Sequence, residues 1–340
     1  MFKGGMIGCG FFSRNHVEAW RRIPNVEILA ASDVSIERAR AVAGRAYTSA
    51  EEMLKVEDLD FIDIVTRSTT HLELISLAAE RGLAMICQKP MAPDWETACR
   101  MVTVAESHRV RVMMHDNWRW QAWYRAVAEI IGRGDIGTPL AYGFRCRVSG
   151  GLGDQPYPRQ AYFRQLRRFL IDEVLVHHID TARFLFGDIA SVYAEGARRN
   201  PNILGEDHAI LTLRHGNGTV GWVDGNSFLN HEDSGLDEAT FEGESGSIRL
   251  SRLGELWSGE RKIWTDPGSG YRGDSVFATQ AHFIDCLESG RPFETGARDY
   301  LEKTFAVVEA AYRSMASQRA VETSEVVEGR KQPHSSQTKP

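Results

Sequence analysis

The stretch GGMIGCGFFS, residues 4–13, decides how the chain is read. A short apolar run leads into Gly8-Cys9-Gly10, and a helix is predicted over Asn15–Arg22. Strand, glycine turn and helix in that order are the context a dinucleotide-binding turn requires. Gly8 permits the tight turn. Gly10 lets a pyrophosphate approach the backbone, where the helix N-terminus presents N–H groups and a positive dipole end. The third position of the pattern is Ser13 rather than Gly or Ala, so the turn alone is a weak signal. Asp33 adds to it from 20 residues beyond Ser13, at the end of the second predicted strand. A carboxylate there accepts hydrogen bonds from a ribose diol and repels a 2′-phosphate, favouring NAD over NADP. Its alternative role is to cap the next helix, for which Ser35 competes.

Outward from this turn the first 115 or so residues alternate strand and helix signals. VEILAAS is followed by a helix over Ile36–Ala43, DFIDIVT by Leu72–Arg81, LAMIC by Asp94–His108, and VRVMMH closes the series. Such alternation predicts a parallel, doubly wound sheet with right-handed crossovers. After Ile131 the rhythm changes. GRGDIGTP is a turn-rich connection, and one helix is predicted around Asp172–Leu185. IASVYAEGA, DHAILTLRH, GTVGWVDGNSF, DEATFEGES and GSIRLSR then alternate side chains between glycine and asparagine turns, predicting a mostly antiparallel sheet with one packed face. Helices over Ser275–Ser289 and Arg298–Gln318 follow, and EGRKQPHSSQTKP reads as a disordered tail.

Bulk properties narrow the function classes. A chain of 340 residues favours two domains. With 40 basic against 46 acidic residues it has no like-charge run suited to a nucleic-acid arm. No apolar segment approaches the roughly 20 residues that span a bilayer. The N-terminus reads as a strand and turn rather than a signal peptide. Five scattered cysteines without C-x-x-C spacing argue against a disulfide frame or zinc ribbon and fit a reducing cytosol.

Three further stretches carry candidate chemistry. LAMICQKPMA, Leu83–Ala92, places Lys89 where a buried strand stops, and chains rarely bury lysine without a partner or a task. In FLIDEVLVHHIDTARFLFG the residues Glu173, His177 and Asp180 fall on one helix face, with His178 pointing away. A solvated face, a metal site and acid–base chemistry all fit that stripe. DNWRWQAWYR and the long segment Asp154–Phe169 are rich in aromatic and basic groups, suiting either core and subunit contacts or a polar substrate.

Together these pieces resemble the Gfo/Idh/MocA oxidoreductases, named for glucose–fructose oxidoreductase and inositol dehydrogenase. The resemblance runs to about Val321 and rests on GCGFFSRNH, SDVSIERA, VTRSTTHLELISLAAERG, CQKPMA, DNWRW, GDIGTP, EVLVHHID and HFIDCLESGRPF. It implies an α/β fold: an N-terminal Rossmann domain over 1–118, a C-terminal α/β domain over 119–325 with a large, mostly antiparallel open sheet, and a tail over 326–340. It also implies transfer of a hydride between NAD(P) and a CH–OH carbon of a sugar, sugar acid or cyclitol, with Asp33 favouring NAD over NADP. Lys89 would stand at the reacting oxygen, His177 would be the acid–base, and Glu173 would assist, with Asp172 as a second candidate. Cofactor contacts are implied for Gly8, Gly10, Phe11, Phe12, Asp33, Thr66, Ser68, His71, Gln88, Lys89 and Asn117. Substrate contacts are implied for Lys89, Arg119, Gln160, Tyr162 and His177. It also implies a homodimer or homotetramer built through the C-terminal sheet; with the bulk properties above, the chain is expected in the cytoplasm, without a metal, nucleic acid or membrane partner. Two departures stand out: Gln88 replaces the usual Glu, and Arg67 replaces the usual proline. Other readings are an NAD-dependent hydrolase or lyase that oxidises transiently, and a non-catalytic ligand sensor.

Overall fold

A computed structural model describes residues 1–229, 237–268 and 270–329. The chain divides into two compact units, Met1–Arg125 with Asp266–Leu301, and Ala126–Thr265 with the chain from Glu302 on.

The first unit holds a six-stranded sheet of β1 (Phe2–Ile7), β2 (Val26–Ser32), β3 (Arg45–Tyr47), β4 (Phe61–Ile64), β5 (Ala84–Gln88) and β6 (Val112–His115). Every neighbouring pair is parallel, in the order β3-β2-β1-β4-β5-β6, the doubly wound order expected of a dinucleotide fold. The strands read as near-continuous apolar runs because both faces are covered: Met6, Phe61, Ile62, Ile64, Met85 and Ile86 are wholly buried. Helices α1 (Ser13–Trp20), α2 (Ile36–Val42), α3 (Ala50–Val56), α4 (Ser68–Glu80) and α5 (Trp95–Ser107) make the crossovers. Ser35, Ser49 and Asp94 cap α2, α3 and α5 by accepting the backbone N–H three residues on. Ser35, rather than Asp33, therefore caps α2. The short β3 and α3 are additions to the predicted series.

The returning segment completes this unit. Helix Ser275–Ser289 brings Phe283 and Ile284 into the core beside Trp20 and Phe61, with the Phe61 and Phe283 ring centroids 5.5 Å apart. Thr295 and Gly296 then extend the edge of β6: Met114 N–H donates to the Thr295 carbonyl at 2.8 Å, and Met113 bridges to Gly296.

The second unit holds nine strands: β7 (Pro139–Ser149), β8 (Ile189–Ala197), β9 (His208–His215), β10 (Val220–Leu229), β11 (Glu238–Gly243), β12 (Gly246–Leu250), β13 (Glu255–Ser258), β14 (Arg261–Thr265) and β15 (Val321–Glu322). Their order is β14-β13-β12-β11-β7-β10-β9-β8-β15, antiparallel except for β7 beside β10. The mostly antiparallel expectation holds, but its central strand, β7, is not among the predicted strands; the turn-rich connection GRGDIGTP ends where it begins. β7 buries Tyr142, Phe144 and Cys146 at period two. Its pairing with β10 interlocks aromatics and glycines: Gly221 opposes Tyr142 and Gly143 opposes Trp222. A Cβ on Gly221 would come within 2.1 Å of the Tyr142 ring, and one on Gly143 within 2.3 Å of Trp222. The composition-based tail also begins later than residue 326. Val326 is wholly buried in a final helix, Thr323–Glu328, while 330–340 lie outside the described residues.

Candidate active site

In the first unit, the glycine turn leaves β1 at the carboxyl edge of the sheet. Gly8 has φ +95°, and a Cβ there would meet the Val65 carbonyl oxygen at 2.5 Å, so only glycine fits. A Cβ at Gly10 would meet nothing within 4 Å, which leaves the backbone open to an approaching ligand. Ser13 Oγ donates to the Gly10 carbonyl at 2.7 Å, explaining how serine serves at the third motif position. Asp33 Oδ2 accepts the Cys9 N–H at 2.8 Å, and Oδ1 accepts from Ser35 N–H and the Arg38 guanidinium. Burial pushes the Asp33 carboxyl up, but these donors outweigh it and hold the group below its ordinary value. An anionic acceptor is thus fixed against the glycine turn, as an adenosine ribose would require. Cys9, Gly10, Ser13, Arg14 and Arg38 line part of a cavity of about 560 Å³ here. Both features fit a dinucleotide: an open glycine cradle and a fixed carboxylate beside it.

The neighbouring turns carry the other expected cofactor contacts. Phe11 is partly exposed beneath the Arg14 guanidinium, 4.3 Å from the ring centroid, while Phe12 packs edge-on against His16 and Tyr271. Ser68 opens α4, and Arg67 precedes it in extended conformation. His71 joins two turns: its ring nitrogens face the Met91 carbonyl at 3.0 Å and the Thr66 carbonyl at 3.3 Å. Burial lowers its pKa. Asn117 is buried and donates to Ser275 Oγ at 2.7 Å. Arg119 is buried too, donating to the Glu294 carbonyl at 3.3 Å. The returning segment therefore holds both side chains.

Lys89 follows the last residue of β5, half-buried, and its bond to Pro90 is cis. Immediately before it lies a polar network that sequence reasoning missed. Gln88 Nε2 is 2.8 Å from His16 Nε2 and 3.1 Å from His115 Nδ1. His16 Nδ1 is 2.8 Å from Asp63 Oδ2, and Trp20 Nε1 donates to the same oxygen at 2.7 Å. These residues come from α1, β4, β5 and β6 and are all buried. Four separated polar residues give no local pattern; only the strand order assembles them.

In the second unit, Glu173 and His177 lie on one helix, 7% and 6% exposed. The helix begins as a π-turn over Ile171–Leu175 and continues as α-helix over Val176–Phe186. Such turns are rare and are frequently found at functional sites. Glu206 anchors the start, its carboxylate accepting from the N–H groups of Phe169 and Ile171 and from Tyr312 O–H. Asp180 accepts from Thr304 Oγ1 at 3.0 Å, so it ties two helices together. The charge of Asp172 acts on Arg168 and Tyr312. His178 does turn away from the Glu173–His177 face: it meets Phe144 and, at 3.4 Å, Asp237. Cys146, His178 and Asp237 each bring one potential ligand atom within 4.8 Å of the others, a buried donor set that could hold a metal ion. Gln160 and Tyr162 sit in a kinked 3-10 segment, Pro158–Gln165, with Tyr162 edge-on to Phe163. Tyr157, just before it, packs against Phe163 and Phe169, and burial pushes its hydroxyl up to about 12.

Comparison with known proteins agrees with this geometry. Residues 2–115 match the family model for the oxidoreductase family with NAD-binding Rossmann fold, and residues 124–249 match the GFO/IDH/MocA C-terminal domain. The chain is 39% identical to a D-apiose dehydrogenase of Paraburkholderia graminis, covering 94% of this chain and 89% of that one. It is 35% identical to a D-apiose dehydrogenase of Rhizobium rhizogenes, covering 94% and 97%. A crystal structure of an oxidoreductase from Agrobacterium radiobacter in complex with NAD+, L-tartaric acid and magnesium superposes with a TM-score of 0.87 at 34% identity, covering 95% and 99%. The matches span both units, and on them the chain belongs to the Gfo/Idh/MocA family and is an NAD-dependent oxidoreductase.

Proposed function

We propose that the enzyme oxidises a secondary hydroxyl of a sugar, sugar acid or cyclitol, with Lys89, His177 and Glu173 as its working groups. The observation that carries the reading is the position of Lys89, one residue beyond β5 on the carboxyl edge of the sheet that holds the glycine turn. Gly8, Gly10 and Asp33 would hold the adenosine and pyrophosphate end of NAD. When bound, NAD supplies the hydride acceptor. His177 takes the hydroxyl proton, Glu173 orients the imidazole, and the Lys89 ammonium stabilises the oxygen as negative charge develops on it. Arg119, Gln160 and Tyr162 are proposed to select the substrate. The cofactor role, expected of residues 1–118, is assigned to the unit of Met1–Arg125 with Asp266–Leu301, and the substrate and oligomerisation role, expected of 119–325, to the unit of Ala126–Thr265 with the chain from Glu302 on.

The relatives named D-apiose dehydrogenase make D-apiose the first substrate to try. The test is a panel of D-apiose, other aldoses, aldonates and inositols with NAD and NADP, read as NADH or NADPH formation. Lys89→Ala is expected to lower turnover by roughly 100-fold or more while NAD still binds. Near-normal turnover in that variant would remove Lys89 from the mechanism. Substrate cleavage without net NADH would favour the transient-oxidation reading. Cytoplasmic location and self-association through the open sheet complete the proposal. Tyr193, Ile210 and Trp222, on adjacent strands β8, β9 and β10, are 37%, 44% and 40% exposed, an apolar group suited to a second copy. Among the described residues, no helix is long and apolar enough to cross a membrane.

A further inference from the structure

We propose that Gln88 is a positioning residue: it clamps His16 and His115 as neutral imidazoles and thereby ties the cofactor-binding helix α1 to the strand end that carries Lys89. The inference rests on the proposed role of Lys89, but its central claim is tested separately.

An amide nitrogen donates and never accepts. The Gln88 Nε2 group has two hydrogens and faces two ring nitrogens, His16 Nε2 and His115 Nδ1, at 2.8 and 3.1 Å. In this amide orientation both ring nitrogens present lone pairs. His16 then carries its proton on Nδ1, where Asp63 Oδ2 accepts it at 2.8 Å, and His115 carries its proton on Nε2. Trp20 Nε1–H supplies a second donor to the same Asp63 oxygen. His16, Asp63, His115 and Trp20 are at most 2% exposed, and Gln88 is 6% exposed, so water cannot readily take over either hydrogen bond. The imidazole rings stand 4.3 Å apart, a separation at which two cations would repel. Nearby titratable groups include Lys89, the thiols of Cys9 and Cys87, and Asp116, which follows His115, is buried, and accepts from Tyr300 O–H at 2.8 Å. Both thiols are pushed up by burial, and the Asp63 charge adds to this.

The replacement of glutamate by Gln88 thereby acquires a purpose. A carboxylate at 88 donates nothing and would draw a proton onto His16, creating an ionisable pair under the strand end. The amide fixes the same geometry with no charge of its own, and Asp63 carries the negative charge one residue deeper in the network. His16 lies on α1, whose N-terminus faces the cofactor turn, and Gln88 is covalently joined to Lys89. Cofactor helix and lysine are thus linked through one side chain.

The test uses the full-length enzyme labelled with 15N-histidine and saturated with NAD. Long-range 1H–15N spectra are recorded from pH 6 to 8 and assigned with single-histidine variants. His16 is expected as the Nδ1–H tautomer and His115 as the Nε2–H tautomer. An imidazolium at His16 at pH 7, or reversed tautomers, overturns the proposal. Gln88→Glu should make His16 cationic and add an ionisation to the kcat pH profile. Gln88→Met, which keeps the bulk and loses both donors, should lower kcat roughly tenfold, with NAD affinity within about threefold. Unchanged kcat and pH profile in both variants would also overturn it. Normal turnover in Lys89→Ala with the predicted tautomers intact would remove the lysine role and leave the clamp standing.

Discussion

Glu206 offers the sharpest test of how the second unit holds its helix. Its carboxylate accepts from Ile171 N–H at 2.9 Å, from Tyr312 O–H at 2.6 Å, and from Phe169 N–H with both oxygens at 3.3 Å. Glu206→Ala leaves three buried donors without that acceptor, at about 1–3 kcal/mol each. Removing a desolvated carboxylate returns part of this, so the net loss is about 3 kcal/mol. For a unit of this size that lowers Tm by roughly 6–12 °C. The π-turn would also loosen, so kcat should fall while NAD affinity stays. The pH dependence has a definite sign. Burial, the largest influence, raises the Glu206 pKa despite its donors. A carboxyl whose folded pKa lies above its unfolded one contributes most at low pH, and that contribution shrinks as pH rises through the folded pKa. The deficit of Glu206→Gln against wild type should therefore narrow as pH rises. Thermal unfolding followed by circular dichroism, with turnover measured on the same samples, checks both parts. A loss under about 1 kcal/mol in Glu206→Ala, or a Glu206→Gln deficit that widens with pH, would refute the reasoning.

The two glycines of the turn should separate stability from binding. Gly8→Ala, strained at φ +95° and clashing with Val65, should cost about 2–4 kcal/mol in denaturant unfolding. Gly10→Ala should leave stability near wild type yet weaken NAD binding in fluorescence titration, because its methyl enters the open cradle. Asp33→Ala should raise the KM for NAD roughly tenfold and shift preference toward NADP, since Arg38 loses its carboxylate partner. Burial lowers the pKa of His71 and of His215, whose ring lies between Tyr142 O–H and the Gly187 carbonyl. Groups of this kind stabilise the fold above their unfolded pKa of about 6.5 and lose that contribution as pH falls toward the folded value. Melting temperature should therefore drop as pH falls below about 6.5, and less steeply in His215→Gln.

Elements with a strong local period were legible in the sequence. The apolar runs of β1, β2 and β5 and the helix Ser275–Ser289 appear where expected, because burial on both faces or along one stripe leaves a contiguous signature. β7 was not legible. Its buried Tyr142, Phe144 and Cys146 are interrupted by Gly143, Arg145 and Arg147, and the glycine makes sense only with Trp222 of β10 laid against it. The π-turn before His177 was equally hidden, since Glu206, which anchors it, lies some thirty positions downstream. At the glycine turn, Gly8 and Asp33 were readable from spacing. The histidine clamp was not, because its members sit on four elements brought together by the strand order β1-β4-β5-β6.

The segment Asp266–Leu301 bears on synthesis as well as architecture. The nucleotide-binding sheet is complete in sequence by His115, yet Phe283 and Ile284 belong to its core and Thr295 pairs with its last strand. A nascent chain emerging from the ribosome must therefore carry Trp20 and Phe61 incompletely covered until most of the polypeptide has been made. A fragment ending near residue 125 would present that same apolar face to solvent. The amino-terminal unit is first in sequence and among the last to close.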